Sequence, residues 1–380
     1  MEEGTKKVRY VYIDNLRLLM IVFVVIMHLA VTYSGMGGWY VIESKELGAF
    51  QTAFFGLYQS FTQAYFMGFL FLISGYFVKK SYDKKGFWQF IYERFVRLGI
   101  PTLIYMLLIN PFIMIVYLGY RGEGEGILKV YIHYITSFQF IGSSGPLWFA
   151  FALFIFNIVY ACLRKGIKLQ EKREKELPGR NAAVQVIFLI AVSAFLIRLI
   201  QPVGTSILNM QLCYFAQYII LFIAGITAGK YRWFSKLTYR DGRKWLFAAL
   251  VPGIVCWGIM MIAGGALDGK QDLLNGGWYW QSAAYALWES FTAVAMSIGL
   301  LAVFQEKHNR QSRLVKTLSD NSFAVYMFHP LIIIPITFAL TALPADPVIK
   351  FLIACILGIP LSFLCANYIF RRIPIINRVL

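Results

Sequence analysis

Apolar runs of about 20 residues recur along the whole chain, and each is long enough to cross a hydrocarbon core ~30 Å thick as a helix. Polar segments separate the runs, which together predict ten transmembrane helices. The predicted spans lie near residues 12–34, 54–78, 98–119, 146–163, 182–201, 212–229, 245–264, 280–304, 318–342 and 348–370. No run is left over for a soluble domain. The chain is therefore expected to be an all-α polytopic membrane protein with one transmembrane domain over residues 1–380.

Basic residues predict the orientation of these helices. Of the 36 Lys and Arg residues, 29 lie on the side of the termini, four on the opposite side and three (Arg17, Arg198 and Lys350) within spans. The 29 occupy both tails and the connections 79–97, 164–180, 230–244 and 305–317. Since cytoplasmic segments carry the excess of Lys and Arg, both termini are expected in the cytoplasm.

Composition supports the bilayer as a partner and excludes other classes. Hydrophobic residues make up 59% of the chain and charged residues 14%, whereas soluble proteins contain about 25% charged residues. The net charge of +17 follows from the topology, so no nucleic acid is expected as a partner. The five cysteines lie in apolar surroundings without a Cys-x-x-Cys pair, so no metal site is expected. We expect a multi-pass protein of the cell membrane, in a bacterium the cytoplasmic membrane.

One connection on the outer side has a structural pattern of its own. It is the longest on that side, residues 120–145. Its stretch from Ile127 to Phe140 mixes apolar and aromatic residues, which is typical of a helix that lies in the membrane interface. We expect this helix to roof an opening.

Ionisable side chains at membrane depth are costly and mark candidate sites. Arg17 and His28 lie eleven positions apart, which places them within about 20° of one helix face with a rise of about 16.5 Å. Asp14, three positions before Arg17, is placed to pair with it. Arg17 could extend to the cytoplasmic surface or meet an anionic group from the cytoplasm. His28 could be a hydrogen-bonded core residue or a general base.

Two later spans add polar stripes. The stripe of the ninth span, within about 80° on a helical wheel, is Ser319, Ser322, Tyr326 and His329. The stripe of the eighth span is Ser282, Tyr285, Glu289 and Thr292. His329 is deep enough to approach His28 and is the rival base, although its place before Pro330 also suits a structural role. The three helices are expected to face a shared polar cavity, with Glu289 among the candidate catalytic residues.

Arg94 and Arg97 directly precede the third span. Three residues apart on a helical turn, they project to one side, and a pair of guanidinium groups suits phosphate. They could equally be ordinary cytoplasmic flanking residues.

Five segments, in order along the chain, resemble the motifs of the acyltransferase-3 family of integral-membrane O-acyltransferases. They are Arg17 followed after ten residues by His28, Phe71-Leu-Ile-Ser74-Gly75-Tyr-Phe77, Arg94-x-x-Arg97 with Leu98 and Pro101, Pro146-Leu-Trp148-Phe149, and Tyr326-x-x-His329-Pro330. The resemblance covers residues 14–330. The Ser-Gly-Tyr-Phe and Arg-Leu-Gly-Ile-Pro segments also resemble the glucan-succinylating branch of the family.

This resemblance implies an enzyme that takes an acyl group, acetyl or succinyl, from a cytoplasmic acyl-CoA to a hydroxyl of an acceptor, commonly an envelope glycan. His28 would be the base, and Arg17 would orient the thioester. Arg94 and Arg97 would meet the phosphates of coenzyme A. Acyl-CoA would be the donor substrate, without a metal.

A transporter or flippase for an anionic or lipid-linked substrate is the alternative. In that case Arg17, His28 and Glu289 would be substrate-binding and proton-relay groups. The scarcity of buried acids argues against a proton-driven carrier.

Overall fold

The structure is a computed structural model that describes residues 9–43, 46–119, 126–166, 175–374 and 376. Over these residues the regular elements are helices, and no strand is present. Hydrocarbon offers backbone N–H and C=O groups no water, and a helix satisfies them within its own segment. The all-α polytopic prediction is confirmed.

Twelve helices form the framework. They are α1 (Val11–Ser34), α2 (Ala49–Arg94), α3 (residues 95–117, alternating π- and α-helical turns), α4 (Ile127–Thr136), α5 (Trp148–Gly166), α6 (Arg180–Arg198), α7 (Phe215–Tyr231), α8 (Tyr239–Leu250), α9 (Pro252–Ala263), α10 (Trp280–Lys307), α11 (Arg313–Thr341) and α12 (Pro347–Tyr368). Pro252, which lacks a backbone N–H, marks the division between α8 and α9, and the two together occupy the seventh predicted span.

Among the described residues, nine helical stretches are long and apolar enough to cross a membrane. One of them, Ala49–Tyr117, is 69 residues long and covers both the second and the third predicted span. Its backbone breaks at Gly86, where φ is 72° and ψ is 177°, a left-handed conformation that glycine adopts without steric cost. The nine stretches therefore correspond to the ten predicted spans.

Hydrogen bonds between the segments predicted on the side of the termini agree with the predicted direction in which each span crosses the membrane. Arg164, in the last turn of α5, donates to Asp83 of α2, in the predicted connection 79–97, at 3.2 Å. Asn15, at the start of α1, donates through Nδ2 to the carbonyl oxygen of His308 at 2.7 Å. These segments, all predicted on the side of the termini, meet at one end of the bundle.

Two basic residues that the sequence places within spans are paired with acids. Lys350 of α12 forms an ion pair with Glu43 of the connection between α1 and α2. Arg198, at the end of α6, forms an ion pair with Glu289 of α10. Pairing is what allows such charges to leave water, because an unpaired charge in a low-dielectric region carries a large desolvation cost.

Helices α2 and α7 approach closely through glycines. A Cβ atom at Gly225 would overlap the carbonyl oxygen of Leu72, and one at Gly229 would overlap the carbonyl oxygen of Tyr76. Gly225 and Gly229 are four residues apart, the spacing of small residues that lets the backbones of transmembrane helices come into contact. This pair of helices positions the centre of the bundle.

We predict that Gly225→Ala lowers the stability of the protein in detergent by about 1–3 kcal/mol, because the added methyl group has no space against the backbone of α2. Thermal unfolding of the purified variant is the measurement. Gly258→Ala is the matched control, since a Cβ atom at Gly258 of α9 meets no atom within 4 Å. Equal melting temperatures for the two variants would contradict the close packing described here.

Candidate active site

A cavity of about 1590 Å³ lies at the end of the bundle opposite the start of α1. Its wall is rich in aromatic rings and side-chain amides, such as Trp39, Trp148, Tyr218, Gln63 and Asn209. Helix α4 contributes Val130, His133 and Tyr134 and thus covers part of the opening, as expected for the interfacial helix. Among the described residues the wall contains no Lys or Arg and a single carboxylate, Asp272.

His28 lies near the inner end of this cavity. Helix α1 contributes Val31, His28, Met27 and finally Val24, so only one further turn lines the cavity below His28. The imidazole of His329 from α11 lies beside it, with ring centroids 5.2 Å apart and ring planes 16° from parallel. The structure thus brings together the two histidines that sequence reasoning proposed as alternative bases.

Pro330 determines how His329 is held. Because proline has no N–H, the carbonyl of Tyr326, four residues earlier, lacks its usual helical partner. Nδ1 of His329 lies 3.0 Å from this oxygen and 3.1 Å from the carbonyl oxygen of Val325. Carbonyls only accept, so Nδ1 carries the proton and Nε2 has a free lone pair. Nε2 is buried and has no hydrogen-bond partner in the described part of the chain.

Trp39 is the residue that sequence reasoning missed. Its ring stacks on the imidazole of His28, with centroids 3.7 Å apart and planes 16° from parallel. It lies in the connection between α1 and α2, directly after Gly37 and Gly38. An aromatic residue behind two glycines in an outer connection was the only available signal, and it does not identify a partner.

The rest of the polar stripe on α11 serves structural hydrogen bonds. The hydroxyl of Tyr326 donates to the carbonyl of Pro146, which joins the late Tyr-x-x-His segment to the Leu-Trp-Phe segment. Ser322 donates to the carbonyl of Leu318 at 3.2 Å. The bond of Tyr326 fixes α11 next to the start of α5, whereas the bond of Ser322 lies within α11.

Arg17 lies at the other end of α1. Its Nη1 is 3.6 Å from a carboxylate oxygen of Asp14, whose other oxygen accepts from Arg9 at 2.7 Å. The guanidinium is 5.3 Å from the ring centroid of Phe77, and 44% of the side chain is exposed. Arg17 does not line the cavity of His28. It is seven residues, or about 10.5 Å of helix, from Val24, the innermost lining residue of α1.

Arg94 and Arg97 lie near Arg17. Arg94 ends α2, and α3 begins with a π-helical turn at Phe95–Gly99, in which Arg97 is exposed. Arg94 stacks over the ring of Phe90 at 5.0 Å and experiences the charges of both Arg97 and Arg17. Three guanidinium groups therefore share one end of the bundle, which we call the arginine cluster (Arg17, Arg94 and Arg97).

The family model for an acyltransferase domain matches residues 10–367. This chain belongs to the acyltransferase-3 family. No curated protein and no solved structure matches it. The family match covers both the histidine pair and the arginine cluster, and together with the membrane-spanning helices it makes the protein an integral-membrane acyltransferase.

Glu289 of this acyltransferase lies apart from the histidine pair. Its carboxylate and the guanidinium of Arg198 are both almost fully buried, with exposed side-chain fractions of 5% and 0%. The rings of Tyr214 and Tyr285 lie 5.5 Å and 5.3 Å from the guanidinium. These two tyrosines line the cavity, whereas Arg198 and Glu289 lie behind them. Sequence reasoning noted both charged residues but did not pair them.

No metal-binding group stands out in the acyltransferase. Among the described residues, no three His, Cys, Asp or Glu side chains are grouped so that they could hold a metal ion. The five cysteines are free, and they lie on several different helices.

We predict that Glu289→Gln destabilises the acyltransferase by about 3–5 kcal/mol, because it leaves the guanidinium of Arg198 buried without a counter-charge. The double variant Arg198→Met with Glu289→Met should recover most of this loss, since no buried charge remains. Thermal unfolding of the three proteins is the measurement. A Glu289→Gln variant that is as stable as wild type but inactive would instead give Glu289 a direct part in catalysis.

Proposed function

We propose that this acyltransferase moves an acyl group, acetyl or succinyl, from a cytoplasmic acyl-CoA to a hydroxyl of an acceptor that enters the cavity at His28. The observation that carries the proposal is the separation of two sites on one helix. Arg17 of α1 belongs to the arginine cluster at one end, and at the other end His28 lines the cavity with the buried His329 beside it.

The arginine cluster suits the donor. Coenzyme A carries phosphate groups, and hydrogen bonds between guanidinium and phosphate are among the strong, charge-assisted ones. We assign Arg94 and Arg97 to these phosphates and Arg17 to the thioester as the donor enters. Since α1 rises about 16.5 Å between Arg17 and His28, the acyl-bearing end of the donor must then move along α1 to react at His28. The cavity at the other end contains no Lys or Arg among its described lining residues, so it offers phosphate no comparable site.

The cavity suits a polyhydroxyl acceptor without charge. Aromatic faces and side-chain amides offer an apolar surface together with hydrogen-bond donors and acceptors, as at Trp148 and Gln63. An anionic group entering it would lose hydration without gaining a described counter-charge. An envelope glycan fits these properties. We therefore expect the enzyme in a bacterial cytoplasmic membrane.

The chemistry needs one base. The acceptor oxygen attacks the thioester carbon, His28 accepts the hydroxyl proton, and the carbon–sulfur bond breaks as the proton passes to the departing thiolate. His329 supplies a second unprotonated nitrogen, Nε2, next to His28. Its tautomer is fixed by the carbonyl that Pro330 leaves unpaired.

We predict that His28→Ala lowers transfer by about 100- to 10,000-fold, because a positioned base contributes this much to proton transfer. Inside-out membrane vesicles from the native host, with each variant replacing the wild-type protein, would receive labelled acetyl-CoA or succinyl-CoA. The measurement is the alkali-labile label in the glycan fraction. His308→Ala is the matched control, because His308 is exposed directly after α10 and does not line the cavity.

Near-normal incorporation by His28→Ala would contradict the assignment of the base, and loss of activity in His329→Ala alone would move that role to His329.

The same vesicles test the donor site. Arg94→Ala and Arg97→Ala should raise the KM for acyl-CoA more than they lower kcat, and Lys at either position should restore binding only in part. Unchanged KM values would contradict the assignment and indicate that both arginines are ordinary cytoplasmic flanking residues.

A further inference from the structure

The segment that follows α1 turns back over the histidine pair. We call residues 35–43 the Trp39 loop. The loop begins at Gly35, a left-handed residue that ends α1, and continues through Gly37, where φ is 117°. Only glycine adopts these values readily. The turn directs Trp39 into the cavity, where its ring lies 3.7 Å from that of His28 and 6.0 Å from that of His329.

A buried polar network anchors the loop directly after Trp39, at Tyr40. The hydroxyl of Tyr40 donates to the side-chain oxygen of Asn110 at 2.6 Å and lies 2.9 Å from the hydroxyl of Tyr105. Nδ2 of Asn110 donates to the hydroxyl of Tyr134 on α4 at 3.2 Å. Burial raises the pKa of both Tyr40 and Tyr134, so both hydroxyls stay protonated donors. These hydrogen bonds thereby join the loop to α3 and to α4.

An ion pair anchors the end of the loop, at Glu43. Glu43 pairs with Lys350 of α12, and its backbone N–H donates to the carbonyl of Thr32 at 2.9 Å. Lys350 is only 9% exposed and Glu43 18%, so water screens this pair far less than it would a surface pair. The two anchors, three residues apart in sequence, hold the indole against His28.

The stack leaves His28 few open directions. One face of the imidazole is covered by Trp39 at van der Waals separation, and His329 lies nearly parallel on another side. A water molecule has no room on a face that an aromatic ring already covers. The nitrogen lone pair of the imidazole lies in the ring plane, so a hydroxyl approaches the edge of the ring, along the border of the indole, where Trp39 limits the space for a free water molecule.

We propose that Trp39 is a positioning residue that keeps water from His28 and so sets the fraction of acyl groups that reach the acceptor hydroxyl. This inference rests on the proposed function. In transfer, the acceptor oxygen bonds to the thioester carbon, the carbon–sulfur bond breaks, and the hydroxyl proton passes through His28 to the thiolate. In hydrolysis a water oxygen takes the place of the acceptor oxygen, and the products are a free carboxylic acid and the same thiol.

The test measures both products from one labelled donor. Inside-out vesicles of the native host receive labelled acetyl-CoA or succinyl-CoA, and the label is divided into glycan ester and free acid, with the His28→Ala background subtracted. Trp39→Ala should raise the ratio of free acid to ester by about tenfold, because closing a site against water is what suppresses hydrolysis. Trp39→Phe, which keeps an aromatic face, should stay within about twofold of wild type.

Two further variants separate shielding from a general defect. Trp280→Ala removes an indole that is 55% exposed at the start of α10 and does not line the cavity, and it should leave the ratio at its wild-type value. Glu43→Gln keeps Trp39 but removes the ion pair with Lys350, and should raise the ratio by less than Trp39→Ala does. It also covers the case in which Trp39→Ala fails to fold.

The outcomes distinguish this proposal from the proposed function. If wild-type vesicles incorporate label through His28 while Trp39→Ala and Glu43→Gln keep the wild-type ratio, the role of Trp39 is refuted and the proposed function stands. An equal rise in Trp280→Ala would also refute it. If wild-type vesicles consume acyl-CoA no faster than those with His28→Ala, the proposed function itself fails.

Discussion

Hydrocarbon cannot solvate charge, and the position of each ionisable side chain in the spanning helices follows from that constraint. Arg198 and Lys350 are each paired with a carboxylate, which removes them from contact with lipid. His28 and His329 have no acid partner among the described residues; their rings lie side by side, and His28 lines the cavity whereas His329 is buried behind it. The pairing of the first two makes them structural, whereas the lack of an acid makes the histidines available for chemistry.

The same constraint accounts for the backbone at the site. A proline within a transmembrane helix frees a carbonyl that must find another donor, and in α11 the imidazole of His329 provides it. The helix irregularity thus also fixes the tautomer of His329, so the structural and functional interpretations of His329 do not exclude each other. The buried pair of Arg198 and Glu289 leaves the transporter hypothesis without the free acid at Glu289 that a proton relay would use.

Much of the fold was predictable because the pattern is strong: apolar runs and basic connections specify spans and sides without knowledge of contacts. The site was predictable only in part. Helical periodicity aligned Arg17 with His28, and depth brought His329 level with it. The position of Trp39 depends on glycine dihedral angles and on anchors from α3 and α12 that are distant in sequence. Likewise, no periodicity could join Glu289 to Arg198, since that pair depends on how α6 and α10 pack.

In the proposed reaction, donor and acceptor act from opposite sides of the membrane, and a sidedness measurement tests this most directly. Labelled acyl-CoA does not cross a bilayer, so it can be supplied to inside-out or to right-side-out vesicles of the native host. We expect incorporation in inside-out vesicles only, where the arginine cluster faces the medium. We also expect the labelled ester to stay protected from an added esterase until detergent opens the vesicles. Equal incorporation in both orientations, or an ester exposed on the donor side, would contradict transfer from one side of the membrane to the other.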